Sequence, residues 1–78
     1  MADVELFGMA SCLHTQDLRE WLQWRHVTFV EYDVERDGTA RARLATLNGG
    51  DRRVPVLVEN GVVTRVGWDG ACFVSLEP

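Results

Sequence analysis

The first third of the chain has a strand pattern followed by a helical pattern. Residues 4–7 form a short, mainly apolar run that is typical of a β-strand. In residues 12–25 the apolar positions recur at intervals of three and four, which predicts an amphipathic helix. Ser11 precedes this segment and is the predicted N-cap. The apolar stripe of the helix contains Leu18, Trp21 and Leu22.

The middle of the chain repeats the order of strand and helix. Residues 27–34 are rich in β-branched and aromatic side chains and predict a second strand. A weaker helix starts near Asp37 or Thr39 and ends at residues 48–50, where glycine permits a left-handed C-cap. The first helix is long enough to be the crossover between parallel strands, and such a crossover is right-handed.

The last third predicts a β-hairpin. Residues 54–59 and 62–66 are β-prone and flank an Asn-Gly dipeptide, which is the strongest short-range signal for an antiparallel hairpin. Residues 71–76 fit either a final helical turn or a short strand. The sequence therefore predicts a single α/β domain over residues 1–78, in the order βαβαββ with a short C-terminal tail or helix.

Charge and length restrict the classes of partner. The chain has 78 residues, with 8 basic residues, all arginine, and 12 acidic ones, so its formal net charge is −4. Because affinity for phosphate backbones and acidic lipid depends on clustered positive charge, we expect neither a nucleic-acid nor a membrane partner. No apolar run approaches the roughly 18 residues of a membrane span, and residues 1–5 lack a secretory signal pattern. These observations predict a cytoplasmic protein.

The two cysteines carry the candidate chemistry. In a reducing cytosol a cysteine pair is more often catalytic, redox-sensing or metal-binding than structural. Cys12 starts the first helix, where unpaired N–H groups and the helix dipole lower the pKa of a cysteine below its free value of roughly 8.5. His14 adds positive charge or a hydrogen bond if its ring faces that sulfur. The alternative for Cys12 is a buried, inert side chain.

Residues 12–15, Cys-Leu-His-Thr, have the spacing of a C-x-x-C redox motif with Thr15 in place of the second cysteine. A helix ending in Gly-Gly, a Val-Pro pair before the hairpin, and Gly-Ala-Cys at residues 70–72 complete an ordered pattern. This pattern resembles the glutaredoxin branch of the thioredoxin superfamily, especially small bacterial glutaredoxin-like proteins and selenoproteins with a Cys/Sec-x-x-Thr motif. The resemblance implies a thioredoxin-like fold with a four-stranded mixed sheet whose first strand is central.

The resemblance also implies roles for the two cysteines. It makes Cys12 a solvent-accessible nucleophile. Thr15 cannot resolve a mixed disulfide, because its hydroxyl does not exchange with sulfur. Certain members of the family carry a second cysteine in the glycine turn after the last strand, and Cys72 matches that cysteine. The expected resolving thiol is therefore Cys72 or glutathione, and the alternative for Cys72 is simple packing against the sheet.

A site for glutathione or a peptide follows from the same resemblance. In this family the Val-Pro bond is cis and lies opposite the catalytic sulfur, which leaves the backbone of Val54, before Pro55, open to an added strand. The alternative is a trans proline at the start of an edge strand. Arg52 or Arg53 is expected to hold a glutathione carboxylate, with solvated side chains as the alternative. The loop at the other end of the glutathione site contains Gly67, Trp68 and Asp69.

The function predicted from the sequence is thiol-disulfide exchange of the glutaredoxin type. The substrate is a thiol or disulfide protein, or glutathione as a co-substrate, and we expect a monomer with no metal and no permanently bound cofactor. Two alternatives stay open: a monothiol carrier of an iron–sulfur cluster, and a thioredoxin-fold interaction module without turnover. The predicted catalytic residues are Cys12, Cys72, His14 and Thr15.

Overall fold

The computed structural model describes residues 3–76 of the chain. The predicted domain limits at residues 1 and 78 lie outside these residues. Within them, no helix is both long enough and apolar enough to cross a membrane. The elements are β1 (Val4–Gly8), α1 (Leu13–Trp24), β2 (Val30–Asp33), α2 (Gly38–Leu47), β3 (Arg53–Val54), β4 (Val56–Glu59), β5 (Val62–Val66) and β6 (Cys72–Phe73).

Four of the strands form one mixed sheet in the order β2-β1-β4-β5. β1 lies inside this sheet, parallel to β2 and antiparallel to β4. β4 and β5 form the predicted hairpin, with Asn60 and Gly61 at φ values of 54° and 79°. Positive φ at both residues suits a tight two-residue turn, which explains why Asn-Gly stands there. The predicted thioredoxin-like fold and its mixed sheet are confirmed.

β3 and β6 form a second, two-stranded antiparallel sheet. The prediction of one strand over residues 54–59 is wrong, because the segment divides at Pro55. Proline has no N–H for a strand ladder, and Val54 pairs with β6 while Val56 begins β4 in the main sheet. The segment of residues 71–76, for which a helical turn and a short strand were both open, contains the strand β6.

Two further boundaries differ from the prediction, and local hydrogen bonds explain both. Ser11 is not the N-cap of α1, because the Cys12 N–H donates to the Met9 carbonyl at 3.1 Å and the N-cap is Cys12. β2 starts at Val30 instead of at residue 27. The Val27 N–H still donates to a carbonyl of α1, at 3.0 Å, so the chain is completing its turn out of the helix there.

The core has two parts that lie against different helices. Leu6 and Phe7 are neighbours on β1 and both fully buried, and alternation along the strand directs their side chains to opposite faces of the sheet. Leu6 packs with the stripe of α1, namely Leu18 and Leu22, and with Leu57 of β4. The cluster around Phe7 contains Cys12, Val34, Ala40, Leu44, Val54, Val56, Val58 and Val74. The predicted nucleophile is therefore part of the core on the α2 side. The expectation that Cys12 is solvent-accessible is wrong for this structure, in which the residue is 1% exposed.

Candidate functional site

A disulfide bond joins Cys12 to Cys72, 60 positions apart in the sequence, with their Cα atoms 6.1 Å apart. Cys12 is the N-cap of α1 and is 1% exposed, whereas Cys72, in β6, is half-buried. The fold thus brings the two sulfur atoms together at the start of α1. Two cysteines at this distance have the geometry that two-electron exchange between a disulfide and two thiols requires.

Strand pairing explains how Cys72 reaches this position. In the β3–β6 sheet, Val54 lies opposite Cys72 and Arg53 lies opposite Phe73. The peptide bond between Val54 and Pro55 is cis, as the resemblance implied. The backbone edge of Val54, which was expected to be open to glutathione or a peptide, is paired with the chain's own strand β6 in this structure.

His14 contacts the loop that leads to Cys72. Its Nδ1 lies 3.1 Å from the carbonyl oxygen of Trp68, and the ring must donate from Nδ1 because a carbonyl oxygen only accepts. The ring also lies against Gly70, where a methyl group in place of hydrogen would come within 2.8 Å of Nε2. The action of His14 on the Cys12 thiolate stays a prediction. The structure adds that His14 ties the first turn of α1 to the loop of residues 67–70.

Gly70 is the position at which this loop is most sensitive to substitution. Its φ is +122°, so Gly70→Ala meets backbone strain as well as the His14 ring, and strain of this kind costs about 1–3 kcal/mol. We expect Gly70→Ala to lower the free energy of unfolding by that amount and to slow formation of the Cys12–Cys72 bond. Chemical denaturation and timed thiol trapping during oxidation measure the two effects.

The turn after α2 offers a matched control for this substitution. Gly50 also has a positive φ, +82°, but an added methyl group there meets no atom within 4 Å. Gly50→Ala should therefore lower the free energy of unfolding only by the cost of the backbone strain. It should leave the rate of Cys12–Cys72 bond formation unchanged. In a His14→Ala background the cost of Gly70→Ala should fall toward that of Gly50→Ala. If Gly50→Ala and Gly70→Ala lowered the free energy of unfolding equally, and His14→Ala did not change the effect of Gly70→Ala, the proposed contact between the His14 ring and residue 70 would be contradicted.

Thr15 has a structural contact at the base of the site. It is fully buried, and its Oγ1 accepts a hydrogen bond from the Met9 N–H at 3.3 Å. Gly8 lies so close that an added Cβ would come 2.6 Å from Oγ1. The sequence analysis missed the need for a side-chain-free residue at Gly8, although a glycine within a strand often marks a site of close approach. Thr15 thus fixes the turn that leads into Cys12.

The two arginines beside Pro55 have different partners. The Arg53 guanidinium and backbone N–H both donate to the Asp51 carboxylate, and these bonds lower the pKa of Asp51 from 3.8 to about 2. The pair is therefore charged on both sides at neutral pH, and a glutathione carboxylate at Arg53 has to compete with Asp51. Arg52 instead donates from Nε to the carbonyl oxygen of Val74 at 3.0 Å, just after β6.

Asp51, the partner of Arg53, was missed by the sequence analysis. Its carboxylate accepts from the backbone N–H two residues on, at 3.0 Å. Aspartate commonly forms such Asx turns, so an aspartate directly after a Gly-Gly pair and before a β-prone segment was a usable signal.

The loop with Gly67, Trp68 and Asp69 is held against the proline. The Gly67 N–H donates to the Pro55 carbonyl at 2.7 Å. The Trp68 ring lies 5.0 Å from the ring of Trp21 on α1 and has the Arg65 guanidinium over it at 4.7 Å. The Trp68 side chain therefore packs onto α1 and β5, and Asp69 at the tip of the loop is exposed.

The titratable residues of the described part of the chain do not assemble into a metal site. Across residues 3–76, no group of three or more His, Cys, Asp or Glu side chains has a geometry that could hold a metal ion. Cys12 and Cys72 are bonded to each other, and the His14 ring contacts Trp68 and Gly70.

Together, the mixed sheet, the cysteine at the start of α1 and the proline before β4 define a thioredoxin-fold protein with two cysteines joined by a disulfide bond. The sequence model of the family Glutaredoxin matches residues 4–64, and the chain belongs to the glutaredoxin family. The matched region contains Cys12 and Pro55 and ends before Cys72. No curated protein sequence matches the chain significantly.

Solved structures with this fold include thioredoxin-like and glutaredoxin proteins. A point mutant of the thioredoxin-like protein BC3987 is 28% identical, with a TM-score of 0.76 over 87% of this chain and 85% of that one. The glutaredoxin of Archaeoglobus fulgidus is 22% identical, with a TM-score of 0.74 over 87% and 77% of the two chains. Wheat glutaredoxin is 21% identical, with a TM-score of 0.71 over 88% and 65%. The last two likenesses establish the fold alone.

Proposed function

We propose that this protein is a thiol-disulfide oxidoreductase in which Cys12 is the nucleophile and Cys72 is the resolving thiol. The Cys12 thiolate attacks one sulfur of a substrate disulfide, forms a mixed disulfide and expels the other substrate sulfur as a thiolate. The Cys72 thiolate then attacks Sγ of Cys12, forms the Cys12–Cys72 bond and expels the second substrate thiolate. The substrate disulfide is reduced to two thiols, and the chain is oxidised by two electrons.

The observation that carries this proposal is the bond between Cys12 and Cys72. A nucleophile at a helix N-cap has a thiolate favoured by the helix dipole and by unpaired backbone N–H groups. Thr15 is no competitor as a resolving group, because its hydroxyl is buried and bonded to the Met9 N–H. An iron–sulfur carrier would use Cys12 as a free thiolate ligand, and the bond to Cys72 favours thiol exchange over that role because it gives Cys12 a sulfur partner within the same chain.

Regeneration of the two thiols requires a reductant. Two equivalents of a thiol, with glutathione as the proposed co-substrate, reduce the Cys12–Cys72 bond and leave as a disulfide. Such a cycle fits a reducing compartment, and we assign the protein to the cytosol on that ground. Because both cysteines belong to one chain, a monomer can complete the cycle with no permanently bound cofactor.

Substitution of the nucleophile tests the proposal. In an assay that follows the reduction of a small disulfide by excess glutathione, we expect the wild-type protein to accelerate the reaction and Cys12→Ser to reduce the rate to that without protein. Ser11→Ala changes the exposed neighbour of Cys12 and should keep the wild-type rate. Full activity in Cys12→Ser would show that the proposed mechanism is wrong.

A further inference from the structure

The strand β6 lies where the resemblance places an incoming substrate. Cys72 and Phe73 run antiparallel to Val54 and Arg53, and the pairing continues beyond the strands, because the Val74 N–H donates to the Arg52 carbonyl at 3.0 Å. In an antiparallel ladder every second pair is hydrogen-bonded, so the next bonded pair is Val54 with Cys72. The backbone edge before Pro55 is therefore filled by an extended segment of the chain itself.

This segment also closes access to the nucleophile. With β6 in place, Cys12 is 1% exposed and its sulfur is bonded to Cys72. A substrate disulfide can approach Sγ of Cys12 only after the bond is reduced and β6 has left β3. Each strand of this small sheet has two residues, and short pairings of this kind open more easily than the strands of a core sheet. Reduction therefore leaves a weakly held strand over the site.

The side chains of β6 make specific contacts at this edge. The cysteine lies opposite Val54, and the residue after it, Phe73, lies under the Arg52 guanidinium, which is 5.9 Å from the ring centroid. The ring is otherwise 63% exposed, so it is held by this cation and not by the core. The next residue, Val74, is 3% exposed and packs in the core cluster that contains Val54.

We infer that the preferred substrate of Cys12 is a protein disulfide in an extended segment whose cysteine is followed by an aromatic residue, bound in the register of β6. The inference rests on the proposed function and names its substrate class. Such a segment replaces Cys72 and Phe73 with its own cysteine and aromatic side chain. Glutathione has glycine after its cysteine, so it lacks the group that contacts Arg52.

The same geometry gives β6 a second part in the reaction. Cys12 attacks the substrate sulfur while the substrate segment lies on β3, and the other substrate sulfur leaves as a thiolate. When β6 returns to β3, it brings the Cys72 thiolate to Sγ of Cys12 and takes the backbone positions of the substrate. Formation of the Cys12–Cys72 bond thus accompanies release of the reduced substrate. The two electrons that reduce the substrate disulfide come from the two thiols of the chain.

The test uses two peptides with the sequence of residues 69–75, each linked through its cysteine to the chromophore thionitrobenzoate. One keeps the phenylalanine after the cysteine and the other has glycine there. With fully reduced wild-type protein in single-turnover measurements, we expect the phenylalanine peptide to react about two- to fivefold faster, the range for an exposed cation–π contact. The phenylalanine peptide should also react faster than the thionitrobenzoate disulfide of glutathione.

Competition by β6 is tested with Phe73→Ala. This substitution removes the contact with Arg52 from the internal strand only, and we expect it to raise the rate with the phenylalanine peptide about two- to fivefold. Val62→Ala is the matched control, because Val62 is 62% exposed on β5, in the other sheet. It should leave the rate unchanged.

The outcomes separate this inference from the proposed function. Equal rates for both peptides and the glutathione derivative, or no acceleration in Phe73→Ala, would overturn the inference. The proposed function would still stand in that case if Cys12→Ser reacted with none of the three disulfides. Reaction of Cys12→Ser at the wild-type rate would instead contradict the proposed function itself.

Discussion

Cys72→Ser is expected to accumulate as a covalent complex between Cys12 and the substrate thiol. The first exchange step needs only Cys12, and the second needs a sulfur that can reach it. The structure places Cys72 in that position, while the nearby Thr15 hydroxyl cannot exchange with sulfur. In intact-mass measurements without added thiol, the variant exposed to oxidised glutathione should retain one glutathione per chain, whereas the wild-type protein should retain none.

The control for this trapping experiment is Cys12→Ser, which lacks the attacking sulfur. It should carry no glutathione at Cys72 on the time scale on which Cys72→Ser is fully modified. The account would be contradicted if the adduct on Cys72→Ser disappeared, in the absence of added thiol, as fast as the wild-type protein completes its own oxidation. Another group would then resolve the mixed disulfide.

Reduction of the Cys12–Cys72 bond is expected to cause a large loss of thermal stability. The bond connects positions 60 residues apart, and a cross-link over such a loop removes unfolded-state entropy worth about 4 kcal/mol. For a domain of this length each kcal/mol shifts the unfolding midpoint by several degrees, so reduction should lower it by on the order of 20 °C. Circular dichroism melting curves with and without a phosphine reductant measure this difference.

A double variant in which both cysteines are replaced by serine separates the bond from other effects of the reductant. Its midpoint should match that of the reduced wild-type protein and should not respond to the phosphine. Identical midpoints for oxidised and reduced wild-type protein would show that Cys72 does not restrain the unfolded chain in solution.

The main sheet could be predicted because its sequence signals are local. The β4–β5 hairpin follows from the Asn60-Gly61 dipeptide, and both residues adopt the positive φ values that this turn requires. The start of α2 follows from Asp37, whose carboxylate accepts from the Ala40 N–H at 3.0 Å. In each case a single short segment contains both the residue and the reason for it.

The second sheet could not be predicted because each of its strands has only two residues. Periodicity needs more positions than that, and β3 and β6 are separated by the whole β4–β5 hairpin. Pro55 lies within the predicted strand, but nothing in the local sequence indicates that the chain passes from one sheet to the other there. The contact of His14 with Gly70 is similarly hidden, since it depends on a loop whose path follows from the tertiary fold.

The two cysteines differ in how far the sequence could identify them. Cys12 is identifiable from its position between a strand and a helix, where the chemistry of a helix N-terminus applies. Cys72 has no such chemical signal of its own and was predicted only from the resemblance of residues 70–72, and the region that matches the family model ends before it. Its proximity to Cys12 comes from pairing with Val54, a long-range contact.

The most direct test of the central claim is the intact mass of the fully reduced wild-type protein after brief exposure to limiting oxidised glutathione, followed by peptide mapping. The account predicts a loss of two hydrogen atoms per chain, no retained glutathione, and a single cross-linked peptide that joins Cys12 to Cys72. A stable glutathione adduct on Cys12 with a free Cys72 would contradict the two-cysteine mechanism. An unmodified protein would contradict thiol exchange altogether.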